Sequence, residues 1–215
     1  MIKSNPDVSP GKKHQQDKYG EIKKPTDLFV SADKYEPLLF WILVLVGTLP
    51  LLLNKYYQTL DGPSHLYNGN IIKELVLGNY SEFRNLFCFN PLLVPNWISH
   101  FLFAVLGLVF PDFITEKIVF LGYFILTPLF FRKICLNFSP ENKFLSYLMI
   151  PFAHNHLFYF GFFNFSIAIT LFLATVYFGL KIQNNFQTKH IWILALLLLI
   201  IYFSHIMVLM ISIFV

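Results

Sequence analysis

Residues 37–70 read PLLFWILVLVGTLPLLLNKYYQTLDGPSHLYNGN, an apolar run followed at once by a polar segment. The run Pro37–Leu53 contains no charged residue and approaches the roughly 20 residues that a helix needs to cross a bilayer. A segment in lipid must be helical, because no water is present to satisfy exposed backbone groups. The sequence therefore predicts a transmembrane helix that ends near Leu53 and brings a polar segment to the membrane surface.

The composition of the whole chain points to the same class of protein. Of its 215 residues, 56% are apolar, 19% are aromatic and 13% are charged, against about 25% charged residues in soluble domains. Five further apolar runs follow: Leu92–Phe110, Phe113–Phe131, Phe144–Phe162, Phe165–Leu180 and Ile191–Val215. We expect all of them to be helical. The predicted fold class is all-α, a polytopic transmembrane helical bundle in a multi-pass protein of the plasma or inner membrane.

The first 36 residues differ from the rest of the chain. They hold seven of the sixteen Lys and Arg residues and six of the twelve Asp and Glu residues, with few large apolar side chains. Such a segment cannot bury enough apolar surface to offset the entropy of ordering it. We predict a disordered cytoplasmic tail at 1–36 and a transmembrane domain at 37–215. The last apolar run has no polar flank, so we expect the domain to continue beyond residue 215.

The positions of basic residues predict which loops face the cytoplasm. If all six runs crossed the membrane, the basic loops 132–143 and 181–190 would lie outside, against the positive-inside rule. Both loops become cytoplasmic if Leu92–Phe110 lies along the outer face or returns to it. We therefore predict one span, an outer loop over 54–113 with amphipathic interfacial helices, and four further spans. The net charge of +4 is then a topology signal, so the expected partner is the lipid bilayer and not nucleic acid.

The outer loop contains the signals of one well-defined helix. Asp61 is a good N-cap, Pro63 is tolerated in a first turn, and Gly78 can end the helix. Apolar residues fall on one helical stripe: Ile71, Ile72, Leu75 and Val76. The sequence predicts an amphipathic helix from about Pro63 to Leu77, lying on the membrane surface.

Three polar residues at the start of this helix share a face. Asp61, His65 and Asn68 have the spacing i, i+4, i+7 and would lie together near the water boundary. This arrangement predicts a polar site at the outer mouth of the bundle. The alternative is that Asp61 serves only as the helix cap.

Further polar side chains interrupt the later apolar runs, in the stretch PFAHNHLFYFGFFNF and at Ser204-His205. Polar groups at membrane depth usually face a bundle interior or a cavity. His154 and His156 point about 200° apart on a helix, so they are not expected to bind one metal together. The predicted topology places His154 to Asn164 toward the outer end, near the level of Asp61, where one of these polar groups can line the same pocket. Hydrogen bonding between helices is the alternative.

The stretches LDGPSHLYNGNIIKELVLGNY and PNWISHFLF resemble the first outer loop of the C-type (GT-C) polytopic membrane glycosyltransferases. The resemblance covers Leu38–Phe131, within the N-terminal part of that superfamily. It implies an enzyme that moves a sugar from a polyprenyl-phosphate-linked donor to an extracytoplasmic acceptor. Asp61 falls at the first-loop acid of the family, which acts as catalytic base or binds a metal in different members. The outer loop lacks a paired Asp-x-Asp motif, so the sequence requires no cofactor, assigns no metal ligand and leaves a divalent metal open.

The chemistry of this transfer suggests roles for several residues. A base must take the proton of the acceptor hydroxyl, a role worth about 10²–10⁴-fold in rate, and Asp61 is the predicted base. Lys55, Arg84 and His65 are predicted to bind the departing phosphate through charge-assisted hydrogen bonds, and His154 is a further candidate for substrate binding. For the basic residues, snorkelling at the interface is the alternative.

Two other classes of membrane protein would use the same polar residues. A transporter or channel subunit could line its pathway with them, and a non-catalytic membrane scaffold could use them to join helices. Geometry separates these classes. The enzyme would place Asp61 at the mouth of an outward cavity with a lipid-accessible side, whereas a transporter would form a midplane site around broken helices.

Overall fold

The computed structural model describes residues 25–78, 81–90 and 92–214. These residues form helices and no β-strand, which confirms the all-α class. The helices are α1 (Pro25–Leu53), α2 (Gly62–Leu77), α3 (Ser81–Leu86), α4 (Ile98–Leu106), α5 (Asp112–Phe138), α6 (Met149–Ala153), α7 (His156–Tyr159), α8 (Phe163–Ile182), α9 (Thr188–Ser204) and α10 (Ile206–Ile213), with a 3₁₀ helix at Pro140–Leu148.

Helix α1 begins before the predicted apolar run. It starts at Pro25, so the predicted boundary between tail and membrane domain at residue 36 falls inside a helix. The part of the predicted tail at 1–24 lies outside the described residues. The contacts of the chain divide it after Leu39, and the description below concerns the unit that starts at Phe40.

Three helices among the described residues are long and apolar enough to cross a membrane: Lys34–Leu53 within α1, α5 and α8. This composition and length support an integral membrane protein, as predicted. The full set of spans and their sidedness stay predictions. Helix α5 continues through Pro128, which is buried inside it.

Helices α5 and α8 lie side by side and run in the same direction. The rings of Phe120 and Phe163 are 4.6 Å apart near their N-terminal ends. Further along, the hydroxyls of Thr127 and Thr170 are 2.6 Å apart. The two contacts are seven residues apart in each helix, so α5 and α8 are parallel. The chain that joins the end of α5 to the start of α8 must therefore run antiparallel to both.

The return is made by a broken helical segment, so the predicted single spanning helix over Phe144–Phe162 is wrong. Successive contacts run antiparallel to α5: Arg132 Nη1 to Ser146 Oγ at 3.2 Å, Tyr123 Oη to the Ala153 carbonyl at 2.9 Å, and Phe120 to Phe158 at 5.1 Å between rings. The break lies at His154 and Asn155. The Asn155 side chain accepts a hydrogen bond from the Phe158 N–H and caps α7, which starts a new helix in place of extending α6.

The last apolar run is also broken, so the predicted span over Ile191–Val215 is not one helix. It forms α9 and α10, separated by His205 in an extended conformation. Val208 of α10 packs with Ala168 of α8 and Ile201 of α9 in a small buried cluster. Helix α10 therefore folds back beside α8.

The interrupted run Leu92–Phe110 forms only the short helix α4. Its 9 residues correspond to about 14 Å, half of the roughly 30 Å hydrocarbon core, so this run does not form a spanning helix. Helix α4 packs closely on α2 at Gly69. A Cβ placed on Gly69 would lie 2.6 Å from the Phe103 Cβ, so the helices approach this closely only because the residue is glycine.

Helix α2 confirms the helix predicted over Pro63–Leu77. It spans Gly62–Leu77 and ends at Gly78, whose φ of 70° is left-handed and whose N–H donates to the Glu74 carbonyl. Of the predicted apolar stripe, Ile71 is buried, whereas Val76 is 63% exposed. The stripe is thus covered by protein on one side only.

Loop 54–61 is anchored to the end of the bundle where α5 and α8 begin. The Leu60 N–H donates to the Tyr159 carbonyl, and the hydroxyls of Tyr57 and Tyr159 are 2.9 Å apart. The Tyr57 ring is buried in the core with aromatic rings of α5, α7 and α8.

The basic residues of the predicted cytoplasmic loops lie away from the N-terminal ends of α5 and α8. Arg132 and Lys133 are in the last two turns of α5, and Lys181 is in the last turn of α8. Lys143 lies in the 3₁₀ helix after α5, and Lys189 lies in the first turn of α9.

Candidate active site

A polar cavity of about 210 Å³ lies where α2, α4, α8 and the α9–α10 break meet. We call it the histidine cavity. Its polar lining residues are Asp61, His65, Asn96, His100, Asn164 and His205. Four separated stretches of the chain supply these side chains, so tertiary packing assembles the cavity.

Asp61 occupies the N-cap position of α2, but its side chain makes no capping hydrogen bond. The side chain is 60% exposed, and its Oδ2 lies 3.9 Å from Nε2 of His65. The residue is held from the other side by Gly161, whose φ of 91° is left-handed. A Cβ on Gly161 would lie 2.6 Å from the Asp61 Cβ. Helix capping therefore does not use the carboxylate, which stays accessible at the cavity.

His65 is more enclosed than Asp61. Its side chain is 12% exposed, its Nδ1 lies 2.9 Å from Ser99 Oγ, and its ring is 4.7 Å from the His100 ring. Burial lowers the pKa of His65, against the opposing effects of the Asp61 carboxylate and a hydrogen bond to the Gly161 backbone. The neutral His65 ring thus contacts Ser99 through Nδ1 and faces the Asp61 carboxylate with Nε2.

His100 is also held in the neutral form. The pKa of His100 is lowered to about 4, chiefly by burial and also by the adjacent His65 ring, whereas Asp61 acts in the opposite direction. Because two adjacent rings cannot both carry a positive charge without repulsion, the pair contributes polar nitrogens to the cavity and no net charge near pH 7.

Asn164 fixes the start of α4 against α8. Its Oδ1 accepts a hydrogen bond from the Ser99 N–H at 2.8 Å, and its Nδ2 donates to the Asn96 carbonyl at 2.9 Å. Asn96 has a φ of 67°, a left-handed conformation that asparagine tolerates better than most residues. A chain of contacts thus connects Asn164 to Ser99, Ser99 to His65, and His65 to Asp61.

His205 enters the cavity from the break between α9 and α10. Its ring lies 5.2 Å from the Phe165 ring, and its Nδ1 is buried without a hydrogen-bond partner among the described residues. A buried nitrogen without a partner costs free energy, so His205 is suited to bond a ligand in the cavity. Among the described residues, no group of three His, Cys, Asp or Glu side chains has metal-binding geometry.

The structure brings Asp61 and His65 together but places the other predicted substrate-binding residues elsewhere. His154 stacks on Phe124 at 4.3 Å, within the core between α1 and α5. Lys55 lies over the Phe113 ring at 5.5 Å, and Arg84 packs beside Gly78. None of the three lines the histidine cavity. Asn68, predicted to share the face of Asp61, is exposed and also lies outside the lining.

The sequence assigns no role in the site to Asn96, Ser99 or His100, which belong to a run interpreted through its polar and helix-breaking residues. His205 is expected from the sequence to face the bundle interior or a cavity, but nothing in the sequence connects it with Asp61. The available signal was their polarity inside apolar runs, which is costly in a membrane and therefore often functional. Their association with Asp61 has no local sequence signal.

An apolar groove of about 390 Å³ adjoins the histidine cavity. Its lining includes Leu92, Leu93, Trp97, Ile98, Phe101 and Phe203. Residues that are adjacent in sequence line the two spaces. Asn96 and His100 line the histidine cavity, whereas Trp97 and Phe101, each the next residue, line the apolar groove. The Trp97 N–H donates to the Phe203 carbonyl at 2.8 Å and fixes this boundary. The two spaces together suit a ligand with a polar head and an apolar tail.

No protein-family model, curated protein or solved structure matches this chain. Function is therefore inferred from the chemistry of the histidine cavity and of the apolar groove beside it.

Proposed function

We propose that this chain belongs to a membrane glycosyltransferase that moves a sugar from a polyprenyl-phosphate-linked donor to an extracytoplasmic acceptor. The observation that carries the proposal is the accessible carboxylate of Asp61, which does not cap α2, at a polar cavity beside an apolar groove. A lipid-linked sugar has the same division into a polar head and an apolar tail. The head would occupy the histidine cavity and the first isoprene units the groove.

Asp61 is the proposed general base. Its carboxylate takes the proton of the acceptor hydroxyl while the acceptor oxygen forms a bond to the anomeric carbon of the donor sugar. The bond between that carbon and the phosphate oxygen breaks, and polyprenyl phosphate leaves with the electron pair. His65, at 3.9 Å from the carboxylate, orients Asp61 and is itself held by Ser99. His65 is therefore a positioning residue.

The leaving phosphate would be bound by uncharged donors. The histidine cavity contains two amide side chains and three imidazoles, and no Lys or Arg belongs to its described lining. His205 can offer an N–H to a phosphate oxygen, since its Nδ1 has no protein partner among the described residues. Hydrogen bonds to an ionised acceptor are stronger than those between neutral groups. We assign no divalent metal to this site.

The test is a transfer assay with membranes that contain the full-length protein and radiolabelled polyprenyl-phosphate sugars. Asp61→Asn keeps the size of the side chain and removes the base. Glu82→Gln, an exposed acid of α3, is the matched control for loss of one negative charge. Loss of transfer in Asp61→Asn alone supports the proposal, and equal transfer in both variants overturns it.

A transporter is the second candidate, because two of the apolar runs are broken helices, as in many transporter sites. The break at His205 differs from that pattern in its position, because His205 lies beside Phe165, in the first turn of α8 and near Asp61. This position favours the enzyme. The break at Asn155 lies level with Tyr123, near the middle of α5, and does not separate the two classes. Substrate-dependent flux into sealed vesicles without sugar transfer would favour the transporter.

A further inference from the structure

A second cavity, of about 690 Å³, lies on the other side of α2. We call it the carboxylate cavity. From α2 it is lined by Pro63, Leu66, Tyr67 and Asn70. These positions lie within about 100° of one another at 100° per residue and face away from His65. The carboxylate cavity is therefore a separate space, with a volume inside the range of about 300–1,000 Å³ for small-molecule sites.

Two carboxylates from the first turns of α5 contribute to this cavity, and each is held by one hydrogen bond. Glu116 Oε2 accepts from the Tyr57 N–H at 3.1 Å, and Asp112 Oδ2 accepts from Asn70 Nδ2 at 3.0 Å. Glu116 is only 5% exposed. A carboxylate can accept several hydrogen bonds on its two oxygens, so each acid keeps acceptor capacity for a ligand.

The remaining wall is aromatic and polar. Tyr56, Tyr57 and Tyr67 line the cavity together with Thr59, whose buried Oγ1 has no hydrogen-bond partner among the described residues. Aromatic faces pack well against the C–H groups of a flat ligand, and tyrosine adds a polar tip. The wall thus combines hydrogen-bond acceptors with apolar faces.

Two lysines offset the charge of the two acids. Lys73 Nζ donates to Asn70 Oδ1 at 2.9 Å, beside the Asp112 carboxylate. Lys55 Nζ lies 5.8 Å from the Tyr56 ring and 5.5 Å from the Phe113 ring. With charges of both signs nearby, the cavity selects strongly for neither an anion nor a cation. Ligand hydroxyls, in contrast, can donate to the carboxylates and accept from other groups.

We infer that the carboxylate cavity binds a neutral polyhydroxylated ligand, the chemical class of a sugar, through Asp112, Glu116, Asn70 and the flanking tyrosines. The inference that a sugar binds follows from the lining of the cavity alone. The further step, that this sugar is the acceptor of the transfer reaction, rests on the proposed function. Thr59 of this cavity and Asp61 of the other are two residues apart, at most about 7 Å along the chain. A glycan bound beside Thr59 can therefore extend a neighbouring unit toward the Asp61 carboxylate.

The experiment measures binding in the absence of any donor. Purified full-length protein in lipid nanodiscs is titrated with neutral monosaccharides (glucose, galactose, mannose and N-acetylglucosamine) by saturation-transfer NMR. We expect saturable binding of at least one sugar, weakened about tenfold or more by Asp112→Asn and by Tyr67→Ala. Glu82→Gln, at an exposed acid of α3 that lines neither cavity, is the matched control for loss of one negative charge and should bind as the wild type does.

Several outcomes would overturn the inference. The first is that none of the four sugars binds saturably. The second is that Glu82→Gln weakens binding as much as Asp112→Asn does. The third is that spermidine competes with the bound sugar whereas the other sugars do not. Thermal unfolding of each variant identifies loss of fold, and Tyr67→Phe provides a milder second variant if Tyr67→Ala unfolds. If the wild type binds sugar but transfers none from any lipid-linked donor, the proposed function fails while the sugar site stands.

Discussion

Helix α2 separates two cavities that differ in size and in the burial of their acids. The histidine cavity has about 210 Å³ and an acid, Asp61, that is 60% exposed. The carboxylate cavity has about 690 Å³ and an acid, Glu116, that is 5% exposed and bonded to the backbone of Tyr57. The accessible carboxylate of Asp61 is available for proton transfer, whereas the buried Glu116 holds the loop at Tyr57 with one oxygen and keeps acceptor capacity for a ligand. The difference in burial therefore separates an acid suited to catalysis from one suited to holding a loop and a ligand.

Asp61→Asn is the change with the largest expected effect on transfer. We expect the rate to fall by about 10²–10⁴-fold, because the base is lost. The midpoint of thermal unfolding should stay within a degree or two, since the side chain makes no capping hydrogen bond. Radiolabel transfer and differential scanning fluorimetry measure the two quantities. If Asp61→Asn unfolded at a lower temperature but transferred sugar at the wild-type rate, Asp61 would be a structural residue and not the base.

Gly161→Ala should damage the same site through the backbone. The left-handed φ of 91° and the 2.6 Å approach to the Asp61 Cβ leave no room for a methyl group, and such strain costs about 1–3 kcal/mol. Gly122→Ala is the matched control, because a Cβ there meets nothing within 4 Å. We expect reduced transfer and stability for Gly161→Ala and neither for Gly122→Ala. Equal behaviour of the two alanine variants would remove Gly161 from the site.

Glu116→Ala should affect stability first. Removing the acceptor leaves the buried Tyr57 N–H without a partner, at a cost of about 1–3 kcal/mol. Glu116→Gln retains an acceptor oxygen and should cost less. Urea unfolding in detergent measures the difference, and the transfer rate per folded molecule should change less than in Asp61→Asn. An unchanged unfolding curve for Glu116→Ala would show that the loop is held by other contacts.

Ser99→Ala tests the support of His65. The variant removes the hydroxyl 2.9 Å from Nδ1, and a single hydrogen bond contributes about 1 kcal/mol. We expect a loss of transfer of about fivefold, with a shift in the pH profile because the ring can change its tautomer. The corresponding change at Ser64, an exposed serine of α2, should leave both rate and profile unchanged. A fall in rate with no shift in the profile would make Ser99 a structural residue only.

The two enclosed histidines should make the stability of the fold depend on pH. Burial lowers the folded-state pKa of His100 to about 4 and also lowers that of His65, whereas the unfolded value is about 6.5. Below that value the unfolded chain binds more protons, so the free energy of unfolding falls as the pH drops from about 6.5 toward 4. Unfolding curves between pH 7.5 and 4.5 measure this slope, and His100→Asn should flatten it. A slope unchanged by that substitution would assign the effect to other groups.

The local elements could be predicted well from the sequence, because their signals are local. The bounds of α2 follow from Pro63 at its start and Gly78 at its end, and the polar start of the run at Leu92 explains why it forms only the short helix α4. Hydropathy likewise identified the three helices that are long enough to span a membrane. Hydropathy did not identify the breaks at Asn155 and His205, because a mean over an apolar run does not register one residue that caps a new helix or adopts an extended backbone.

The sequence by itself determined that the chain is helical, that its helices suit a membrane, and that Asp61 stands at the start of a helix. Only the tertiary structure decided which residues Asp61 meets. Ser99 joins His65 across 34 positions, and His205 enters the same cavity from the far end of the chain, while His154 is drawn into the core by Phe124. Periodicity and capping act within a few residues. The histidine cavity instead depends on how separate helices pack, which is set by contacts such as Gly69 against Phe103 and Asn164 against Ser99.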